Sequence, residues 1–168
     1  MRFLTFIILA LQVLIISCAK EKPNVEIIKD KEIDLQMIDA YQEGLEALDQ
    51  QDGLTAAKKF SEAELLFPQS KWAPRSTLMA AYAYYKQNYY SDAINELDRY
   101  FKTYPNHNRK DYAYYLLAIC YYDQIVDEKK DLEPLIEAKK NFEYLIENYP
   151  STDYSLDAEY KIEVIEEI

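Results

Sequence analysis

The stretch YYSDAINELDRYFKTYP, Tyr89–Pro105, decides how the rest of the chain is read. Its apolar positions Ala93, Leu97, Tyr100 and Phe101 stand three or four residues apart, the spacing of one face of a helix. Pro105 then ends the helix. It has no backbone N–H to donate, and it disfavours the helical conformation for the residue before it, Tyr104.

The same ending recurs in LLFP, Leu65–Pro68, and in LIENYP, Leu145–Pro150, each with an aromatic residue before the proline. Twelve residues before each proline stands an alanine: Ala56, Ala93 and Ala138. Four residues after each alanine comes a large apolar side chain: Phe60, Leu97 and Phe142. Upstream, a second small residue recurs every 37 positions, at Gly44, Ala81 and Ala118. The second and third prolines are 45 apart, and the extra eight residues fall in the charged stretch QIVDEKKDLEP, which reads as a loop insertion.

Small residues at two fixed places, an aromatic-proline ending and helical periodicity between them resemble tetratricopeptide units. The small residue in the first helix (A) and the alanine in the second (B) let the two approach closely, and Phe60, Leu97 and Phe142 fill the space beside that contact. The expected fold is all-α, a tetratricopeptide-like solenoid of helical hairpins with three repeats and the start of a fourth. Repeat 1 should run from about Ile33 to Pro68, repeat 2 from about Pro74 to Pro105, and repeat 3 from about Lys110 to Pro150. A further helix starts near Tyr154 and reaches Ile168 without a cap or a stop. No closing repeat follows it, so the domain over 33–168 is expected to be incomplete at its carboxy terminus.

Composition supports the all-α reading. The chain has 168 residues, 49% hydrophobic and 29% charged, but only two glycines and six prolines. Two glycines are too few for a phosphate-cradling loop or a dinucleotide fingerprint. The formal net charge is -11, and a body that acidic is repelled by phosphate, which argues against nucleic acid as a partner and against basic-patch membrane binding.

The amino terminus carries an address. Residues 1–17 have one positive charge, Arg2, then a run from Phe3 to Ile16, apolar except for Thr5 and Gln12, that is short for a membrane span and of signal-peptide length. The end Ile15-Ile16-Ser17-Cys18 resembles the bacterial lipobox, in which the cysteine is acylated and becomes the new amino terminus. Alternatives are an ordinary secretory signal or a short anchor helix. Acyl chains contribute about 0.8 kcal/mol per buried CH₂, an anchor that needs no charge. Ala19 follows Cys18 in place of the inner-membrane retention aspartate of enterobacterial lipoproteins, so the outer membrane is the expected location. Residues 18–32 read as the lipidated cysteine and a flexible tether.

Catalytic chemistry is not legible. His107 stands alone in PNHNRK, with no cysteine or second histidine to make a metal site with it. The acidic run around Asp127–Glu133 lacks the glycine and the ligand alternation of an EF-hand. Cys120, in LLAICYY, reads as a buried and inert thiol. The chain is expected to be no enzyme and to need no metal and no cofactor.

Tetratricopeptide A helices line a concave groove with positions 2, 5, 9 and 12 of each repeat. Numbering from Met37, Pro74 and Asp111 gives Ile38, Tyr41, Leu45 and Leu48; then Arg75, Leu78, Tyr82 and Tyr85; then Tyr112, Tyr115, Ile119 and Tyr122. Tyr41, Arg75, Tyr82, Tyr85, Tyr112, Tyr115 and Tyr122 are thus candidates for a peptide-binding groove. Tyrosine offers large rigid area at low entropy cost, with a hydroxyl for backbone groups. The competing reading is that many of these tyrosines simply pack between repeats. Position 11, at Ala47, Tyr84 and Tyr121, should face the neighbouring helix.

Taken together, Cys18, the run Tyr89–His107, DYAYYLLAICYYDQ (Asp111–Gln124) and YPSTDYSLDAEYKI are similar to the BamD family. These are tetratricopeptide lipoproteins of the outer-membrane β-barrel assembly machinery. The resemblance covers Ile33–Ile168. It implies a non-enzymatic scaffold, lipid-anchored on the periplasmic face of the outer membrane. It implies as partners the barrel component of the machinery, unfolded β-barrel proteins and other assembly lipoproteins. The family's amino-terminal repeats are associated with carboxy-terminal targeting sequences of client proteins. The alternatives are a periplasmic tetratricopeptide adaptor for cell-wall synthesis or division, and a substrate-binding or enzyme-associated lipoprotein.

Overall fold

The computed structural model describes residues 25–125 and 132–167. The expected signal peptide, Cys18 and most of the expected loop insertion lie outside the described residues. Seven helices and no strand are present among the described residues. They are α1 (Val25–Asp49), α2 (Gly53–Leu66), α3 (Ala73–Lys86), α4 (Tyr90–Thr103), α5 (Lys110–Tyr122), α6 (Glu133–Asn148) and α7 (Asp153–Glu166). Pairs α1/α2, α3/α4 and α5/α6 are the three expected hairpins, and α7 opens a fourth unit.

Contacts divide the chain between Lys31 and Glu32, and the second unit, Glu32–Ile168, holds the repeats. One boundary differs from expectation. Helix α1 begins at Val25, so Val25–Glu32 is helical where a tether was expected. No glycine or proline interrupts VEIIKDKE, and Ile, Glu and Lys are all tolerant of helix, so nothing local stops the helix from reaching back that far.

The repeat signature explains the packing. Ala56, Phe60, Ala81, Ala93, Leu97, Ala118, Ala138 and Phe142 are all fully buried. At Gly44 an added Cβ would lie 2.8 Å from Cε1 of Phe60, so the two helices of the first hairpin approach closely there. Three core layers each combine three helices. Ala47, Phe60 and Ala83 join α1, α2 and α3. Leu78, Leu97 and Leu116 join α3, α4 and α5. Ile119, Phe142 and Ala158 join α5, α6 and α7. A hairpin therefore buries much of its apolar face against the A helix of the next repeat. Helix α5 belongs to two layers, which is why LLAICYY is apolar nearly all round. Tyr84 and Tyr121 each pack into two layers, the inter-repeat position expected of them.

The helix ends follow from the same sequence marks. Phe67, Tyr104 and Tyr149, each before a proline, terminate α2, α4 and α6 with ψ of 73°, 55° and 49°, outside the helical range. The turns inside the first two hairpins are copies of each other. In the first, the N–H of Asp52 donates to Ala47 O and that of Gln51 to Leu48 O. In the second, Tyr89 donates to Tyr84 O and Asn88 to Tyr85 O. This is a Schellman motif, and it puts Gln51 at φ 62° and Asn88 at φ 61°.

Candidate functional site

The A helices α1, α3 and α5 bring residues from three repeats around one cavity of about 280 Å³. Tyr41 comes from α1, Arg75, Leu78 and Met79 from α3, Arg109 from the preceding connection and Tyr112 from α5. Helical spacing places Arg75 and Leu78 on one face, and buried Leu78 forms an apolar floor. Three of the expected groove residues, Tyr41, Arg75 and Tyr112, thus meet at one place.

Tyr41 is also the wall of a second cavity, about 260 Å³, lined by Met37, Ile38, Gln42, Leu45 and Trp72. Its ring meets Phe60 edge-on at 5.1 Å and Trp72 at 5.5 Å. Trp72 in turn carries the Arg75 guanidinium 5.4 Å from its ring centroid. Arg109 makes the equivalent contact with Tyr112, at 5.7 Å. Cations over aromatic faces keep their charge while covering apolar surface. The two cavities are therefore one mixed surface, apolar on the Leu45 side and cationic on the Arg109 side.

Burial raises the Tyr41 hydroxyl above its ordinary pKa, with the Arg75 charge pulling the other way. Burial, with smaller contributions from Tyr82 and Tyr154, raises Tyr112 strongly. Both stay protonated at neutral pH and can donate a hydrogen bond to a ligand carbonyl.

The other expected groove residues have a different arrangement. Tyr85 donates to Asp123 Oδ2 at 2.9 Å, and Tyr115 donates to Asp157 Oδ2 at 2.7 Å. Burial and these aspartates raise both tyrosines. Each bond ties one repeat to the next. Tyr115 also meets the Tyr154 ring at 5.1 Å, and Tyr122 meets Phe142 at 6.2 Å with Lys161 over its face at 4.7 Å. Tyr82 packs into the layer built on Leu78 and Leu97 and lies 6.4 Å from Tyr85. Tyr85 and Tyr115 therefore commit their hydroxyls to the next repeat, while Tyr122 is held by ring contacts.

Sequence reasoning did not single out Trp72 or Arg109. Both sit in connections, PQSKWAP and YPNHNRK, where periodicity carries no information. The one available signal was rarity, since Trp72 is the only tryptophan of the chain.

A half-buried ion cluster joins the B helices of the first two repeats. Glu64 on α2 accepts from Arg99 Nη1 and Nη2 on α4, at 2.7 and 2.6 Å, and from the Tyr104 hydroxyl at 2.7 Å. Arg99 also reaches Glu96 at 2.6 Å. Burial pushes Glu64 up, but its bonds from Arg99 and Tyr104 outweigh that and hold it below the usual carboxylate range. The Tyr104 hydroxyl is pushed up to about 12 by burial and by Glu64. Cys120 is buried, and burial pushes its thiol up to about 12, leaving it unreactive.

Comparison with known proteins places this arrangement. The family model YfiO, described as outer membrane lipoprotein, matches residues 33–168. The chain belongs to the YfiO family. Its relatives include the outer membrane protein assembly factor BamD of Caulobacter vibrioides, 38% identical over 125 residues that cover 74% of this chain and 41% of that protein. The protein of the same name from Rickettsia prowazekii is 28% identical, covering 74% and 50%. This YfiO chain spans about half the length of the curated relatives it matches. Among solved structures, the Arabidopsis OM64 TPR domain superposes with a TM-score of 0.60 at 14% identity, over 78% of this chain and 97% of that one. That likeness shows the tetratricopeptide fold.

Proposed function

We propose that this chain is a non-enzymatic scaffold of outer-membrane β-barrel assembly, holding unfolded barrel proteins in the groove formed by α1, α3 and α5. One observation carries the reading: in a YfiO-family chain whose relatives are named assembly factors, Tyr41, Arg75 and Tyr112 from three repeats surround one cavity beside an apolar one. A mixed apolar and hydrogen-bonding channel suits an extended segment with exposed backbone, the form of an unfolded strand. The barrel component of the machinery and other assembly lipoproteins are the proposed protein partners. Acylation at Cys18 holds the scaffold on the periplasmic face of the outer membrane.

The test uses the full chain and labelled peptides copied from the carboxy-terminal strand of β-barrel proteins. Binding should be measurable by fluorescence anisotropy and should weaken at least about fivefold in Tyr41→Ala. Absence of binding, together with failure to co-purify a large outer-membrane barrel bearing periplasmic domains, would sink the proposal. Cys18→Ala should move the protein from the membrane fraction to the soluble fraction; a membrane-bound variant would remove the lipid-anchor part.

A further inference from the structure

The cationic side of the groove continues past Arg75 into a third cavity, of about 450 Å³, between the two inter-repeat connections. Lys71, Arg75 and His107 line it, with the amides of Asn106 and Asn108, and no aspartate or glutamate does. That lining is unusual in a chain of net charge -11, where Asp and Glu outnumber Lys and Arg by 30 to 19. Trp72 lines both this cavity and the apolar one beside Tyr41, so an apolar group and a charge are accommodated on either side of one indole ring.

The cavity shares lining residues with a neighbour on each side. Arg75 is shared with the groove cavity on one side. Pro74, Asn106 and His107 are shared with a cleft of about 540 Å³ on the other. The acid lining that outer cleft, Glu64, is already committed to Arg99 and Tyr104. The adjoining cavities give an extended polypeptide surface to follow on either side of this one.

We propose that Lys71, Arg75 and His107 form an anion subsite that binds an acidic side chain, Asp or Glu, within a polypeptide threaded along the groove, one step from an apolar residue on the Trp72 side. The inference rests on the groove reading for the ligand being a polypeptide, and adds the chemistry of one of its positions. His107 suits the role. The Tyr100 hydroxyl lies 2.7 Å from its Nδ1, fixing the ring. Burial, and then the nearby Arg75 and Arg109 charges, hold its pKa below the ordinary value, so the imidazole offers a hydrogen-bonding group beside the fixed charges of Lys71 and Arg75. A single carboxylate fits better than an acidic run, which the rest of this body would repel.

The site carries its own reporters, because Trp72 and His107 are the only tryptophan and the only histidine of the chain. Three short apolar-aromatic peptides test it against the full chain: one with a central glutamate and an amidated carboxy terminus, one with glutamine there and an amidated terminus, and the glutamine form with a free terminal carboxylate. The glutamate peptide should bind about tenfold more tightly than the amidated glutamine peptide. It should quench or shift Trp72 fluorescence and move the His107 ring resonances. In Lys71→Gln/Arg75→Gln, two exposed positions, that preference should vanish. Equal binding of the glutamate and glutamine amides overturns the subsite and leaves the groove standing. A free-carboxylate glutamine peptide that matches the glutamate peptide overturns the assignment to an internal side chain. No binding by any of the three overturns the subsite and the groove together.

Discussion

Gly44 on α1 faces the ring of Phe60 on α2 so closely that the Cβ of an alanine would lie 2.8 Å from Cε1 and 2.9 Å from Cδ1. Alanine is the better helix former by about 1 kcal/mol, so on propensity alone Gly44→Ala should stabilise. Packing decides otherwise, because Phe60 is fully buried and its ring is already held edge-on against Tyr41. Gly44→Ala is expected to destabilise by about 1–3 kcal/mol, read as a lower urea midpoint at unchanged slope. The double variant Gly44→Ala/Phe60→Leu should recover part of the loss.

The left-handed turn positions differ in residue type. Asparagine tolerates φ near 60° and Asn88 holds that conformation, but Gln51 carries a longer side chain into the same strain. Gln51 is exposed, and the bond from Gln87 Nε2, at 2.6 Å, goes to its backbone oxygen, which glycine keeps. Gln51→Gly should therefore stabilise by about 1 kcal/mol, measured by thermal melting followed by circular dichroism. An equal gain from Asn88→Gly would show that residue type makes no difference at this turn.

The Glu64–Arg99 pair gives a pH signature. Glu64 has a folded pKa below its unfolded value, so its contribution is fully present above the unfolded carboxylate pKa of about 4.3 and is lost as pH falls through the folded one. Glu64→Gln should cost about 2 kcal/mol at neutral pH, allowing for the partial exposure of Arg99. The gap between wild type and variant should close in urea titrations run at progressively lower pH below about 4. A gap that persists unchanged at pH 2 would show that the charge is not the source.

Tyr115 and Tyr41 should separate stability from binding. Tyr115→Phe removes the bond to Asp157 and should cost about 1 kcal/mol while leaving peptide affinity unchanged. Tyr41→Phe keeps the ring contacts to Phe60 and Trp72 and removes only the hydroxyl, so it should weaken peptide binding severalfold with little change in melting. Comparison of affinity with melting temperature in both variants checks the assignment, and reversed effects would exchange the two roles.

Much of this architecture was readable in sequence because its determinants are local and repeated. Ala93, Leu97 and Pro105 sit within one helix and its end, and a 37-residue copy of each confirms the pattern. The hairpin contacts follow, since Gly44 and Phe60 are small and large at matching places. The site was only partly readable. Position within the repeat selects Tyr41, Arg75 and Tyr112, but the same rule selects Tyr85 and Tyr115. Their hydroxyl partners, Asp123 and Asp157, stand 38 and 42 residues away with nothing local to announce them. Trp72 was missed because its importance comes from three neighbours brought together by folding: Tyr41, Arg75 and the His107 connection. The early start of α1 was missed because charge and Pro23 suggested a tether, while the residues after that proline contain no helix breaker.

The hydroxyl-to-aspartate ties also set how stiff the molecule is. Backbone contacts between repeats are made by small buried residues and do not change length. The bonds Tyr85–Asp123 and Tyr115–Asp157 bridge successive A helices, each worth about 1 kcal/mol net. They act as weak springs in series along the solenoid. Each junction is also a core layer, so separating two repeats means breaking the tie and opening that layer together. The first two repeats carry the Glu64–Arg99 bridge in addition.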